Sequence, residues 1–389
     1  MKKKIIWIAA ECPFPPNSGG RLVTWNRLEI LSKKFDVYLF CAVDSQEDFQ
    51  YKKKLEKICK SVLFYKREKN IVSVVKSLFY PFPAVTRWFK EMQFDVERTI
   101  NKVDIKWIIV DFPQMLGNVP QKLFDKIILN QHNIEYKTLE NIAQAFKNPI
   151  KRLFFKITAF QMKRYEEKIY KKGKIAYYTF VSLNEKTFFE KKYGCKNTLF
   201  LPIGSKCTKA KKNIFEKKII FVGKMSYYPN EEAVKWFVAK IWPRVKEKEP
   251  SAKFVVVGRD PSENLMIFLQ NAKDVFATGN VKSVDEFYDS AALVVVPIIS
   301  GGGVNVKILE ALGAGKIVVT THKGIEGTDF IAGQHLFVES TAESFSDRVI
   351  DILQNSKKYD YISNNAFKYC CEHYSWSQTC KPMIDVMSN

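Results

Sequence analysis

Three consecutive glycines at residues 301–303 stand directly before a short apolar pattern that also carries Lys307 and Glu310. A helix started at Val304 keeps its apolar residues on one arc, so Lys307 and Glu310 fall together on the other side. The glycines supply no oxygen to cap this helix, and its first N–H groups and its dipole therefore favour an anion. A phosphate or diphosphate would fit there, with Lys307 neutralising it and Glu310 accepting hydrogen bonds from a diol such as a ribose. The apolar arc consists of Val304, Ile308, Ala311 and Leu312.

The same residues also have a purely structural interpretation. Gly303 would then be a tolerated N-cap, and Lys307 with Glu310 a solvated pair that stabilises the helix by about 0.2–0.5 kcal/mol. These residues alone leave both interpretations open.

Eleven short β-branched or aromatic runs alternate with longer amphipathic stretches along the chain. This alternation is typical of parallel sheets covered by helices, and the 389 residues suffice for roughly two domains. We predict an α/β fold of two Rossmann-like, doubly wound parallel-sheet domains facing a central cleft. The predicted parts are a first domain at 1–203, a lysine-rich linker at 204–218, a second domain at 219–374, and a C-terminal helix at 375–389 that could pack back onto the first domain.

Glycine separates an apolar run from a helical pattern at two further places. Gly19 and Gly20 do so near the start of the chain, and Gly223 does so together with the basic residue Lys224. Ligands of open α/β sheets bind outside the carboxyl ends of the strands, so one cleft could use all three glycine sites.

The charge balance calls for anionic partners. The chain has 62 Lys and Arg against 41 Asp and Glu, a formal net charge of +21. Nucleic acid is not expected, since no zinc-finger, RNP-like or helix-turn-helix pattern is found. An anionic membrane surface and a lysine-rich genome composition both remain open. Segment 146–174 carries ten Lys or Arg residues and could either bind to such a membrane surface or pack within its domain. Its Glu166 and Glu167 are expected to be solvated.

Eight scattered cysteines favour a reducing cytoplasm over a disulfide framework. None has the C-x-x-C spacing of a zinc site, and His322, His335 and His373 lack Asp, Glu or Cys at ligand spacing, so no metal site is predicted.

Several of these stretches resemble one family when taken in their order. The runs "IIFVGKMSYYPNEEAVKWFVAKIWPRV", "KFVVVGRDP" and "PIISGGGVNVKILEALGAGKIVVTTHKGIEG" are similar to the carboxyl-terminal domain of retaining glycosyltransferases of the GT-B architecture, in the family-4 group. The Gly-Gly loop, "QHNIEY", "FVSLNEKTFF", "LPIGS" and "YSWS" extend the resemblance over nearly the whole chain. Within that group the chain looks most like sugar transferases of bacterial surface-polysaccharide clusters.

The resemblance implies roles for individual positions. Glu310 would hold the ribose of a nucleotide diphosphate-sugar, Lys224 would neutralise the leaving diphosphate, and His132 would contact the donor sugar from the first domain. Gly20 would allow close approach to the diphosphate, and the family's first motif glutamate falls on Gly302, which leaves the sugar open. The remaining positions implied for donor binding are Gly19, Gly223, Gly258, Arg259, Val281, Gly303, Val304, Asn305 and Lys307.

The resemblance also implies a reaction. The sugar would move with retention to an acceptor hydroxyl on a glycan, a lipid-linked molecule or a protein, without a metal or a further cofactor. The expected location is the cytoplasm or the inner face of the cell membrane. Two alternatives stay open: an inactive GT-B subunit, suggested by Gly302, and an NAD-type oxidoreductase, which the missing G-x-G-x-x-G pattern disfavours.

Overall fold

The computed structural model describes residues 2–68, 71–146, 148–211, 217–301 and 303–389. The chain divides into two compact units, one formed by Met1–Pro202 with Thr379–Asn389 and the other by Ile203–Gln378. Each described unit is built on a parallel sheet with helices between successive strands.

The described part of the first unit contains a seven-stranded sheet in the order β3-β2-β1-β4-β5-β6-β7. Its strands are β1 (Lys4–Ala9), β2 (Asp36–Val43), β3 (Ser61–Lys66), β4 (Ile105–Asp111), β5 (Ile127–Gln131), β6 (Tyr177–Phe180) and β7 (Thr198–Phe200). The α-helices are α1 (Gly19–Ser32), α2 (Lys52–Glu56), α3 (Ile71–Lys76), α4 (Phe82–Val85), α5 (Lys90–Lys102), α6 (Glu135–Ala145), α7 (Pro149–Lys171) and α8 (Leu183–Tyr193). Three 3₁₀ helices span Gln46–Tyr51, Pro113–Asn118 and Gln121–Lys126.

The described part of the second unit contains a six-stranded sheet in the order β10-β9-β8-β11-β12-β13. Its strands are β8 (Lys218–Val222), β9 (Lys253–Val257), β10 (Val275–Ala277), β11 (Leu293–Val296), β12 (Val318–Thr320) and β13 (Phe337–Val338). Its α-helices are α9 (Tyr228–Trp236), α10 (Trp242–Lys248), α11 (Glu263–Gln270), α12 (Asp285–Ser290), α13 (Val306–Gly313), α14 (His322–Ile325), α15 (Ala342–Gln354), α16 (Asp360–Tyr374) and α17 (Trp376–Thr379), and the last helix of the chain, α18 (Lys381–Ser388), returns to the first unit. A π-helical turn spans Phe237–Ile241 and a 3₁₀ helix spans Ser356–Tyr359.

Strand β1 shows why the apolar runs form these sheets. Ile5, Trp7 and Ala9 belong to one hydrophobic cluster, whereas Ile6 and Ile8 belong to another. The strand lies between β2 and β4 and is buried on both faces, since helices cover both sides of the sheet. A continuous apolar run, without polar alternation, is what such a strand requires.

The strand order of each sheet changes direction beside its first strand. The first sheet does so between β1 and β4, and the second between β8 and β11. A crevice for ligands forms at such a point, outside the carboxyl ends of the strands. In the second unit these two strand ends lead to Gly223 and to the loop that contains Gly301.

The predicted α/β fold with two parallel-sheet units is confirmed. All eleven apolar runs correspond to strands, while the sequence patterns miss the two terminal strands of the first sheet, β3 and β7. Residues 204–211 of the predicted linker pack on the second unit, where Ala210 N donates to Ala314 O at 2.9 Å. Residues 212–216 lie outside the described residues.

Helix α18 belongs to the first unit. None of the described helices is long and apolar enough to cross a bilayer.

The ends of β8 and β9 approach each other so closely that only glycine fits at residue 258. A Cβ added to Gly258 would lie 1.7 Å from the carbonyl oxygen of Gly223. Gly223 N also donates to Val257 O at 2.9 Å, which ties the two strand ends together.

We expect Gly258→Ala to lower the free energy of unfolding by about 1–3 kcal/mol, because one strand end must move to admit the methyl group. Urea and thermal unfolding measure the change. Gly19→Ala is the matched control, since a Cβ there meets nothing within 4 Å, and its effect should stay within about 0.5 kcal/mol. An equal loss in both variants would contradict the close approach.

Candidate functional site

The glycine-rich loop ends in a helix whose amino terminus has no side-chain cap. Helix α13 begins at Val306 with Asn305 as its N-cap, two residues later than the predicted start at Val304. The Asn305 carboxamide turns away from the helix: Nδ2 donates to Gly324 O at 2.8 Å, and Oδ1 accepts from Lys307 Nζ at 3.3 Å. The first N–H groups of α13 therefore stay available to an anion.

The loop before α13 has a backbone that favours glycine. Gly301 has φ +97° and Gly303 has φ +83°, both in the left-handed region. Gly303 is exposed, and a Cβ added there would meet nothing within 4 Å, so the space beside it is open. Gly302, where the first motif glutamate would fall, lies outside the described residues.

Lys307 and Glu310 are neighbours on α13, as their spacing predicts, but both are partly buried. Burial raises the pKa of Glu310 to about 7, although the positive charges of Lys307 and Lys206 oppose the shift. Burial lowers the pKa of Lys307 to about 8, and the Glu310 carboxylate opposes that shift. A solvated surface pair would show neither effect, so these two groups sit in a partly desolvated environment.

Tyr288 of α12 is a further member of this group that the sequence does not reveal. Its side chain is buried beside Glu310, and burial together with the Glu310 charge holds the pKa of the phenol well above its usual value. The hydroxyl is thus a neutral group placed against the carboxylate predicted to hold a ribose.

Lys224 and Arg259 converge on one carboxylate at the ends of β8 and β9. Lys224 Nζ lies 3.7 Å from Asp260 Oδ2, and Arg259 Nε lies 3.8 Å from the same oxygen. Asp260 has a left-handed backbone with φ +59° and is half exposed. Asn230 Nδ2 donates to Lys224 O at 2.8 Å, which fixes the backbone of the loop that carries Lys224. No sequence pattern had singled out Asp260, which follows Gly258 and Arg259 directly.

The glycine loop before α13 lies against the segment that follows β8 and Lys224. A Cβ added to Gly301 would lie 3.0 Å from Pro229 Cγ and 3.3 Å from the Tyr227 hydroxyl, both on the segment after Lys224. Lys307 Nζ lies 5.7 Å from the centroid of the Phe221 ring on β8. A small pocket opens here; its lining residues are Tyr227, Pro229, Ile298, Ser300, Gly301, Gly303, Asn305 and Lys323. The predicted residues Gly223, Lys224, Gly258 and Arg259 lie at the ends of β8 and β9, whereas Val281 packs partly against the hydrophobic core.

A buried polar network lies at the strand ends of the first unit. The fully buried Arg27 donates to Asn130 Oδ1 at 2.6 Å and to Leu201 O at 2.6 Å. Asn130 Nδ2 in turn donates to Asp111 Oδ1 at 2.7 Å. Burial raises the pKa of Asp111 to about 6 against the opposing effects of its hydrogen bonds and of Arg27. The network ties α1, β4 and β5 together beneath His132.

His132 is held on top of that network. Its Nε2 lies 3.4 Å from Asn130 Nδ2, and its ring stacks on Phe112 with centroids 4.6 Å apart. Phe112 has φ +64°, a strained conformation for a bulky residue, so the surrounding structure must enforce this stacking. Burial and the charge of Arg27 lower the pKa of His132 to about 3, which makes the imidazole a neutral hydrogen-bonding group near pH 7.

Gly20, at the start of α1, borders a carboxylate. Ser18 is the N-cap, and its Oγ accepts from Arg21 N at 3.4 Å. A Cβ added to Gly20 would lie 2.6 Å from Glu11 Oε1, and Glu11 also pairs with Arg21 at 3.2 Å. Gly20 thus permits a close approach in this structure, with the Glu11 carboxylate as the approaching group.

The prediction that Glu166 is solvated is wrong. It is fully buried, and its carboxylate accepts from the backbone N–H groups of Glu135 and Tyr136, each at 3.2 Å. These are the first N–H groups of α6, the helix that follows His132, so α7 supplies the cap that α6 lacks locally. Burial and the nearby Glu135 raise the pKa of Glu166 to about 8.

Comparisons with known proteins agree with this architecture. Residues 216–355 match the family model described as "Glycosyl transferases group 1". An uncharacterized 44.6 kDa protein in the cps region of Klebsiella pneumoniae is 25% identical over 95% of this chain and 96% of its own length.

Two solved structures are similar over the whole chain. A glycosyltransferase from Rickettsia africae has a TM-score of 0.68 with 12% identity and covers 100% of this chain and 98% of its own. Anabaena HepE, in complex with UDP and glucose, has a TM-score of 0.66 with 12% identity and covers 99% of each chain. The fold is that of the GT-B glycosyltransferases, and together with the family match it supports glycosyltransferase activity.

We expect His132→Gln to make the protein less sensitive to acid. Burial holds the pKa of His132 at about 3 in the native state, whereas the pKa of the same histidine is about 6.5 in the unfolded chain. Between these two pH values the native state therefore binds fewer protons than the unfolded state. The contribution of His132 to stability is present above that window and is lost as the pH falls, by up to about 1.4 kcal/mol per pH unit. Urea unfolding over this range measures the slope, which the exposed control His373→Gln should leave unchanged. Equal slopes for His132→Gln and the parent would contradict the buried neutral ring.

Proposed function

We propose that this protein is a retaining glycosyltransferase that moves a sugar from a nucleotide diphosphate-sugar to an acceptor hydroxyl. The observation that carries the proposal is the uncapped start of α13 with Lys307 and Glu310 beside it. The helix terminus and the Lys307 ammonium suit a diphosphate, and the Glu310 carboxylate suits the two hydroxyls of a ribose. Anabaena HepE has been crystallised with UDP and glucose, which makes a UDP-sugar the first donor to try.

The chemistry follows from where negative charge develops. Breaking the glycosyl–phosphate bond leaves the charge on the diphosphate, and fixed N–H groups and cations aimed at that position lower the barrier. Lys307 lies at the helix start and Lys224 at the end of β8. Lys224 is paired loosely with Asp260, at 3.7 Å and half exposed, so an incoming diphosphate can replace the carboxylate as its partner. The leaving diphosphate oxygen would take the proton of the acceptor hydroxyl on the same face of the sugar, which gives retention.

The proposal extends to the setting of the reaction. We place the enzyme in the cytoplasm, at the inner face of the membrane, in the synthesis of a bacterial cell-surface glycan, with a glycan, a lipid-linked molecule or a protein as acceptor. The similarity to a protein of a cps region supports this setting. No metal and no cofactor other than the donor are part of the proposal, and His132 remains a predicted contact of the donor sugar.

The test is turnover of a panel of nucleotide-sugars by the purified protein, followed by NMR of the product anomer. We expect the donor's anomeric configuration in the product and the same rate with EDTA present. Glu310→Ala should lower kcat/KM by about tenfold to a hundredfold, since hydrogen bonds to a charged group are lost. The surface variant Glu247→Ala should match the parent. Turnover of Glu310→Ala within a few-fold of the parent would misplace the site, an inverted product would exclude retention, and NADH binding without sugar transfer would favour an oxidoreductase.

Donor affinity should pass through a maximum near neutral pH, with an acid limb and an alkaline limb on either side. The donor requires a charged Glu310 carboxylate, whose pKa is about 7, and a protonated Lys307, whose pKa is about 8. Affinity for UDP-glucose should therefore be highest between these values, fall toward acid as Glu310 is protonated, and fall toward alkali as Lys307 is neutralised. Calorimetric titration from about pH 5 to about pH 9 measures both limbs. Glu310→Gln should remove only the acid limb and Lys307→Arg only the alkaline limb; an unchanged profile in either variant would contradict the assignment.

A further inference from the structure

Helix α7 has two apolar faces: one is buried in the first unit, and the other is largely exposed. Thr158, Ala159 and Met162 are buried against the first unit. At about 100° per residue, a second set of side chains falls on the opposite face of the first three turns. The residues of this outer face and their exposed fractions are Ile150 at 78%, Leu153 at 59%, Phe154 at 49%, Ile157 at 51% and Phe160 at 61%. An amphipathic helix of a globular domain normally keeps such a face covered.

A second exposed apolar segment lies against this face. It consists of α3 and the turn after it, and its exposed side chains are Ile71 at 81%, Val72 at 57%, Val74 at 57%, Val75 at 53%, Leu78 at 72% and Phe79 at 79%. Gln161 of α7 donates from Nε2 to Ser77 O at 2.9 Å and to Leu78 O at 3.3 Å. The Phe82 and Phe154 rings also meet, with centroids 6.4 Å apart. The two segments therefore form one continuous surface, which we call the apolar patch.

The surroundings of the apolar patch are basic. Residues 71–90 and 146–165 contain no Asp or Glu, while they contain nine Lys or Arg. Arg152 and Lys156 are exposed on α7, and Arg164 lies over the Phe160 ring at 5.8 Å. Glu166, the next acidic residue on α7, is fully buried as the cap of α6. Apolar side chains with a basic rim, on helices too short or too polar to span a bilayer, suit the interface of an anionic membrane.

We infer that the apolar patch docks the first unit on an anionic phospholipid bilayer. The aliphatic and phenyl side chains of α3, its turn and α7 enter the interface, and the surrounding lysines and arginines contact lipid phosphates. A second copy of the chain fits the patch less well, because pairing would bring two basic rims together in a protein of net charge +21. A bilayer offers the apolar layer and the negative charge together.

The apolar patch deepens the proposed function, which places the enzyme at the membrane without naming the residues that contact lipid, and its test does not depend on sugar transfer. The patch lies outside the residues proposed to bind the donor, and lipid binding is measured with neither donor nor acceptor present. Loss of lipid binding and loss of transfer are thus separate outcomes.

The experiment is flotation of the full chain with vesicles of phosphatidylcholine alone, or with about 30 mol% phosphatidylglycerol. We expect binding to the anionic vesicles at least about tenfold stronger than to the neutral ones. Two double variants, Leu78→Ser with Phe79→Ser and Ile150→Ser with Leu153→Ser, should each lower the partition coefficient by about tenfold or more, because apolar side chains leave the lipid. Arg152→Glu with Lys156→Glu should do the same through charge.

Matched controls distinguish binding through the apolar patch from nonspecific binding to lipid. Ile267→Ser with Ile331→Ser changes two exposed side chains of the second unit, 58% and 51% exposed, and should leave binding unchanged. Lys357→Glu with Lys358→Glu gives the same change in net charge as the charge variant on exposed residues elsewhere, and should weaken binding only slightly. Thermal unfolding confirms that each variant is folded. Equal binding to both vesicle types, equal losses in patch and control variants, or a lipid-free dimer that the patch variants dissociate would each overturn the inference.

Discussion

A parallel sheet brings the carboxyl ends of all its strands to one edge, and the helices that return the chain begin at that edge. The predicted site residues follow such strand ends: Gly223 and Lys224 follow β8, Gly258 follows β9, and His132 follows β5. The helix start after β11 has no side-chain cap in the described residues. Positive helix ends and polar loops therefore gather where the strand order changes, and any chemistry of an anionic ligand is concentrated there.

Burial gives this edge its electrostatic character. Lys307 and Glu310 are close enough to stabilise each other's charge, yet burial outweighs that attraction and moves both pKa values toward neutrality. In the first unit the buried Arg27 donates hydrogen bonds to Asn130 and to a backbone carbonyl, while its charge helps to keep His132 neutral. Both units thus hold partly desolvated polar groups at these strand ends, and their pKa values are shifted by burial.

Helix α7 connects the interior of the first unit with its surface. Its inner face packs beside α6 and carries Glu166, which caps that helix just after the strand that ends near His132. Its outer face is apolar and basic at the same time. One continuous helix therefore caps the helix that follows the predicted sugar-binding histidine and presents the surface proposed to meet lipid, so the two roles constrain different faces of the same helix.

The sequence alone determined the α/β fold of two parallel-sheet units, because continuous apolar runs and helical periodicity depend only on residues that are close along the chain. It also placed Lys307 and Glu310 on one side of α13, because residues three apart on a helix are neighbours. The start of that helix at Val306, the position of Asp260 between two cations and the burial of Glu166 were decided only by tertiary structure. Each depends on groups far away in the chain, and both desolvation and long-range hydrogen bonds are set by the whole fold rather than by spacing along the sequence.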